Sequence, residues 1–164
     1  MTANYEIDLA NEHDIDGILD LQECNLPPSG TLSARLPRAW FEAGMAAMPI
    51  VVARRDGHVV GYLASAPLAA GTGVPVIEAM LRAYRGAPDA YVYGPICVAE
   101  VERGRGLASA MFAALRERLP GREGILFIRR DNAASLRAHA KMGMQEVAEF
   151  THDGALHAVL SYVG

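Results

Sequence analysis

The sequence predicts an α/β protein, a mixed seven-stranded sheet with helices on both faces, in the order β-α-α-β-β-α-β-α-β-α-β-β. Three observations predict it. Short runs of alternating or β-branched apolar residues recur along the chain, separated by Gly, Pro and Asp-Gly punctuation. Between them stand segments whose apolar residues repeat at helical spacing. The composition supplies a core, with 51% hydrophobic and 21% charged residues in a chain of 164. That length fits one domain over residues 1–164, without a linker or an internal repeat.

Tyr5, Ile7 and Leu9 alternate with Glu6 and Asp8, which reads as a short strand. A helix follows from about Asn11, with Ile15, Ile18 and Leu19 at helical spacing, and the turn at 27–30 stops it. A second helix is expected over 34–48, with Pro37 near its start, where proline is tolerated. Apolar runs at 50–54 and 58–64 flank Arg55, Asp56 and Gly57, and Asp-Gly is a hairpin signal. A short helix over 75–84 carries Ile77, Met80, Leu81 and Tyr84 on one face. The strand at 90–98 contains Gly94 and Pro95. Proline donates no ladder bond, so the pair marks a bulge or a local opening. After a loop over 99–105, a helix over 106–119 shows a stripe of Leu107, Met111, Leu115 and Leu119, with Arg116, Glu117 and Arg118 toward water. The apolar run 124–128 has the mark of a strand buried on both faces. Asn132 caps a helix to Met142, which Gly143 stops. Strands over 144–151 and 156–163, joined at Asp153 and Gly154, complete the order.

Charge and cysteine content exclude several functions. Lys and Arg total 15 against 19 Asp and Glu, a net charge of −4. A mildly acidic chain is a poor non-specific binder of nucleic acid, so no nucleic-acid partner is expected. Cys24 and Cys97 form no paired motif and no metal-ligand spacing, so no metal site is expected, and the usage fits a reducing compartment. The N-terminal segment lacks a basic and an apolar signal region, and no apolar run approaches the ~20 residues of a membrane span. The chain thus reads as cytoplasmic, with no membrane partner. The run 155–163 is long and apolar, and an unpaired edge of that kind is an association hazard. It is expected to be covered, a homodimer being one cover.

The stretch that carries chemistry is Arg103, Gly104, Arg105, Gly106, Leu107, Ala108 and Ser109, between a strand and a helix. Two glycines let the backbone turn tightly and approach a ligand. The helix N-terminus presents unpaired N–H groups and partial positive charge, and the two arginines add full charges. Such a loop suits an anion, most naturally a pyrophosphate. Gly104, Gly106 and Ser109 also approximate a dinucleotide fingerprint, with Asp131 as the ribose acid, but that fingerprint belongs to the first strand–helix unit of a doubly wound sheet. Here it follows the fourth strand. A phosphate-binding loop of the Walker type is absent, because the only lysine, Lys141, lies elsewhere.

The run 96–108, through Arg103, Gly106 and Ala108, resembles motif A of the GCN5-related N-acetyltransferases, Arg/Gln-x-x-Gly-x-Gly/Ala. Asn132, Ser135, His139, Gly143 and Met144 resemble the family's second block, Asn-x-x-Ala/Ser-x-x-x-Tyr/His-x-x-x-Gly-Phe, in the family's order and spacing. The resemblance implies a mostly antiparallel seven-stranded sheet and acetyl-CoA as co-substrate, lying where the fourth and fifth strands splay. It implies that Gly94 and Pro95 supply the irregularity and that the pantetheine arm pairs with the backbone of Cys97 and Val98. Backbone N–H groups from Arg103 to Ala108 then hold the pyrophosphate, Ser109 continues that turn, and Asn132 and Ser135 contact the pantetheine. Asn132 also reads simply as an N-cap and Ser135 as a surface helix residue.

By the same resemblance the activity is direct transfer of an acetyl group to a primary amine, on a small molecule or a protein N-terminus. A backbone N–H near Val98 would stabilise the oxyanion. His139 stands where the family usually has a tyrosine acid, and its ordinary pKa of about 6.5 suits proton donation to the leaving thiolate. It also reads as a packing residue. Histone-type members place a glutamate on the fourth strand, but the matching position near Val92 has no acid. Glu78, Tyr93, Glu100 and Glu102, or a water chain, are candidate bases, with Glu100 and Glu102 expected to be solvated loop charges. Trp40, Tyr62, Tyr84 and Tyr91 join Glu78 and Tyr93 as candidate acceptor-side residues. Two alternatives stay open: a longer acyl-CoA or an O-acceptor on the same scaffold, and a CoA-binding sensor or interaction module without catalysis.

Overall fold

Asp56 and Gly57 form the hairpin turn, with φ of 52° and 80°, both left-handed as a tight two-residue turn requires. They join β2 (Val51–Arg55) to β3 (His58–Pro67). The computed structural model describes residues 4–28, 30, 32 and 34–164. Residues 1–3 of the N-terminal segment, and Ser29 of the turn expected at 27–30, lie outside the described residues. The remaining elements are β1 (Tyr5–Leu9), α1 (Ile15–Asn25), α2 (Arg38–Ala47), α3 (Pro75–Ala83), β4 (Tyr91–Val98), α4 (Leu107–Arg118), β5 (Glu123–Arg129), α5 (Ala133–Lys141), β6 (Gln145–His152) and β7 (Ala155–Val163). The element order is the expected one, with short 3-10 turns added at Glu12–Asp14, Leu68–Gly71 and Glu100–Glu102. The fold is mixed α/β, an open sheet of seven strands in the order β1-β2-β3-β4-β5-β7-β6.

The chain divides into two units, residues up to Ser65 with Gly94–Arg118, and Ala66–Tyr93 with Leu119–Gly164. In the first, β1 pairs antiparallel with β2 (Ile7 opposite Ala53) and β2 with β3 (Val52 opposite Tyr62). The Ala99 N–H donates to the Val60 carbonyl at 2.8 Å, where the end of β4 runs beside β3. Helix α4 packs on β1 and β2. Its expected stripe is real, because Leu107, Met111 and Leu115 are buried, with Phe112 beside them. Burying such side chains stabilises by about 1.5–3 kcal/mol each. The Asp14 carboxylate takes two hydrogen bonds from Arg54 of β2, at 2.8 and 2.6 Å, and both side chains are buried.

In the second unit β5 pairs antiparallel with β7 (Leu126 opposite Leu160), and β6 with β7 (Ala148 opposite Val159). The parallel pairing of β4 with β5 includes Tyr91 opposite Gly124 and Val92 opposite Ile125. Ile125, Leu126 and Ile128 are buried, as the continuous apolar run predicts. Helix α3 packs on β6 and buries Val76, Ile77, Ala79 and Met80, whereas Leu81 and Tyr84, expected on that face, are only half-buried.

One expectation is corrected. Helix α2 starts at Arg38, not 34. The Gln22 side chain clamps the extended backbone of Leu36, donating to its carbonyl and accepting from its N–H, each at 2.9 Å. Leu36 precedes Pro37, whose ring disfavours helical backbone before it. The run 155–163 is covered, as expected, but by strands of its own sheet, since β7 lies between β5 and β6. The reason for covering it with a second subunit is therefore gone, and the edge beside it is the mostly exposed β6. Among the described residues no helix is long and apolar enough to cross a membrane.

Candidate active site

The loop from Arg103 to Ser109 enters α4 as its sequence requires. Gly104 and Gly106 have φ of 77° and 79°, in the left-handed region that favours glycine. A Cβ built at either position would meet no atom within 4 Å, so the outer side of the turn is open at both glycines. The Ala110 N–H donates to the Gly106 carbonyl at 3.0 Å, the first helical turn bond. The preceding N–H groups of Leu107, Ala108 and Ser109 therefore have no intrahelical acceptor and carry the positive end of the helix dipole. An open cradle, first-turn donors and flanking arginines fit a pyrophosphate.

The arginines are held in place. Arg103 Nη2 donates to Asn25 Oδ1 at 2.9 Å, and its Nε to the Val98 carbonyl at 3.3 Å. Asn25 is itself anchored, donating to the Leu21 carbonyl at 2.8 Å. Arg105 Nη1 donates to Tyr5 Oη at 3.2 Å, and its Nε lies 3.8 Å from the Glu102 carboxylate. Glu102 corrects the expectation of a solvated charge, because it is 3% exposed. Tyr5 O–H donates to it, and so does Arg55 at 2.7 Å. These bonds, Tyr5 first and Arg55 second, hold its carboxyl below the usual range, so it is an ionised anchor and not a base. Glu100 shares its 3-10 turn and remains exposed. Sequence reasoning missed Tyr5, Arg55 and Asn25, which are far from the loop in the chain.

On β4, Cys97 is buried and its S–H donates to Tyr62 Oη at 3.3 Å. Burial pushes its thiol up to about 11, so it stays protonated and packs. Its side chain therefore offers nothing to a ligand, which leaves the backbone of this residue. Phe41 and Trp40 continue the aromatic cluster edge-to-face from Tyr62. Among the described residues, the buried Trp40 Nε1–H has no hydrogen-bond partner.

The second unit holds the other candidates. Asn132 caps α5, its Oδ1 accepting from the Ser135 N–H at 3.2 Å. Seven residues on, His139 is 4% exposed. Its Nδ1 lies 2.8 Å from the Ser135 carbonyl and 3.3 Å from Ser135 Oγ, and its Nε2 lies 3.1 Å from Tyr93 Oη. The Tyr93 and His139 rings meet edge-to-face at 5.6 Å. Burial lowers the imidazole pKa, and the Ser135 carbonyl opposes that only in part. The base candidate Glu78 and the acceptor-side tyrosines have partners of their own. Glu78 accepts from the Gly73 N–H at 3.1 Å, and Tyr84 O–H donates to Glu123 at 2.7 Å. Tyr91 shares a hydroxyl contact with Tyr162. Among the described residues no group of three or more His, Cys, Asp or Glu is placed to hold a metal ion.

Residues 15–144 match the acetyltransferase (GNAT) family. The chain belongs to that family. As an acetyltransferase it shares its fold with several solved structures. Ribosomal-protein-alanine N-acetyltransferase from Brucella melitensis superposes with a TM-score of 0.73 at 22% identity, covering 97% of this chain and 99% of that one. An N-acetyltransferase from Staphylococcus aureus Mu50 gives 0.71 at 19% identity, covering 98% and 99%. The protein YncA from Salmonella typhimurium, solved with its cofactor acetyl-CoA, gives 0.71 at 17% identity, covering 98% and 94%. The acetyltransferase matches no curated protein by sequence.

Proposed function

We propose that this acetyltransferase takes acetyl-CoA as acyl donor and acetylates a primary amine by direct attack on the thioester, acting as one domain in the cytoplasm. The observation that carries this reading is the Arg103–Ser109 turn, with two left-handed glycines open on their outer side and the donors of α4 behind them. Its backbone N–H groups would hold the pyrophosphate. The backbone of Cys97 and Val98 would pair with the pantetheine arm, with Asn132 and Ser135 as further contacts. Bound acetyl-CoA supplies an activated thioester carbonyl. His139 takes part in the proton transfer of this reading near neutral pH. The acceptor is a small amine or a protein N-terminus.

Acetyl-CoA should raise the melting temperature, because a ligand bound only by the folded state stabilises it, by about 2.7 kcal/mol at a hundred times its dissociation constant. NAD and ATP should do so far less, and equal shifts from NAD would remove the assignment. Thiol release from acetyl-CoA with a panel of amines separates transfer from mere binding, and acyl-chain length in the same assay tests the longer-acyl alternative.

Arg103→Ala should raise the acetyl-CoA KM about tenfold and leave kcat nearly unchanged, since charge on a distant phosphate is uniform binding. Steady-state kinetics with acetyl-CoA varied measures it. A fall in kcat with KM unchanged would place Arg103 outside the anion site.

A further inference from the structure

Both ring nitrogens of His139 are engaged. Nδ1 lies 2.8 Å from a carbonyl oxygen, that of Ser135, and a carbonyl only accepts, so Nδ1 carries the ring proton. Burial keeps the ring neutral near pH 7, which leaves Nε2 as a lone pair. Burial also raises the pKa of the Tyr93 hydroxyl, so Tyr93 stays protonated and donates to Nε2 across 3.1 Å. In this state His139 has no N–H left for a departing sulfur. Tyr93 stands beside Gly94 and Pro95, where Gly94 adopts a φ of 108° and the strand backbone departs from regular geometry. Its ring is fixed edge-to-face against His139 at 5.6 Å and against Tyr162 at 5.8 Å.

Resting on the acetyl-transfer reading above, we propose that the Tyr93 hydroxyl, not the His139 ring, exchanges protons with the reacting groups, and that His139 Nε2 stores the proton between two transfers. The amine enters as its free base, having left its ammonium proton in water. As the nitrogen–carbon bond forms, an N–H proton passes to Tyr93 Oη while Tyr93's own proton passes to Nε2. The resulting imidazolium is held by the Ser135 carbonyl through Nδ1–H. As the carbon–sulfur bond breaks and its electron pair goes to sulfur, Nε2 returns the proton to Tyr93 Oη and the Tyr93 proton goes to sulfur. One proton leaves nitrogen, one reaches sulfur, and the pair ends as it began. The same pair therefore serves as base and acid on a strand that has no carboxylate near Val92.

The test uses the whole protein with Tyr93→Phe, His139→Ala and the double variant. Thiol release from acetyl-CoA is followed with the amine panel and with water as acceptor. Tyr93→Phe keeps the ring and removes only the hydroxyl. It should lower kcat about 100-fold, the low end for one positioned proton-transfer group, with the acetyl-CoA KM within about twofold. The double variant should be no slower than the slower single one, because groups acting as a unit are not additive. In the wild-type protein the ¹⁵N resonances of His139 should report the Nδ1–H tautomer, and the Nε2 resonance should move in Tyr93→Phe. A Tyr93→Phe variant at near wild-type kcat, losses that multiply in the double variant, or an Nε2–H tautomer would each overturn the route. Absence of an acetyl-CoA thermal shift and of thiol release in the wild-type protein would instead overturn the acetyl-transfer reading and, with it, the route. The resonances need no substrate, so they read the Tyr93–His139 pairing in either case.

Discussion

Asp14→Ala is expected to destabilise the fold by about 3–5 kcal/mol, because it leaves a guanidinium buried without its partner. Asp14 is 5% exposed and Arg54 8%. The carboxylate takes two bonds from Arg54 and accepts from the Asn11 N–H at 2.8 Å. For a chain of this length the loss corresponds to a fall of roughly 6–20 °C in melting temperature. Burial alone pushes the Asp14 carboxyl up, but the Arg54 bonds and the Asn11 N–H together outweigh it, so its pKa is lowered. The stabilisation is therefore complete above the ordinary aspartate value of about 3.9 and is lost as pH falls through the lower folded value. Denaturant unfolding at pH 7 and pH 3 measures both effects, and the gap between wild type and variant should shrink at the lower pH. Replacing both partners with apolar residues should recover much of the loss, since a paired charge is often worth little more than good packing. A variant within about 1 kcal/mol of wild type would show that Arg54 finds its other carboxylates, Glu6 at 3.3 Å and Asp8 at 3.8 Å, sufficient.

Gly106→Val should raise the acetyl-CoA KM at least about 100-fold. Two charge-assisted hydrogen bonds from the turn to a phosphate are worth about 1.5–3 kcal/mol each, and a branched side chain on the open side of the cradle removes access to both. The φ of 79° adds strain, because a β-branched residue strongly disfavours left-handed backbone. Titration of the thermal shift with acetyl-CoA measures the loss apart from turnover. Near-normal affinity would move the anion site away from this turn.

The element order was legible because each boundary has a local cause. Asp56 and Gly57 make their turn in place, Asn132 caps with its own side chain, and the α4 stripe is a matter of spacing. What stayed hidden depends on residues distant in the chain. The start of α2 is set by Gln22 reaching Leu36 across fourteen positions. Glu102 is buried because Tyr5 and Arg55, 97 and 47 positions away, close over it. The edge role of β6 depends on β7 inserting next to β5, which no spacing rule reveals. At the candidate site, Ser135 four residues before His139 was visible as a helical neighbour, but the Tyr93 contact spans 46 positions and needs the fold to bring it there.

Tyr5 opens an edge strand, and its hydroxyl stands between the buried Glu102 carboxylate and Arg105 of the glycine turn. If the turn holds the acyl donor as proposed, its affinity is thereby wired to the margin of the sheet. Any handle, crowding surface or partner that peels β1 from β2 takes away the hydroxyl that seats Arg105, without touching the turn itself. At the other end, Gly164 is pinned on both sides, its carbonyl accepting from the Gly121 N–H at 2.8 Å and its N–H donating to the Arg122 carbonyl at 3.0 Å. For immobilising the protein, a surface linkage on the exposed face of β6 spares both of these contacts, whereas attachment through β1 disturbs the seat of Arg105.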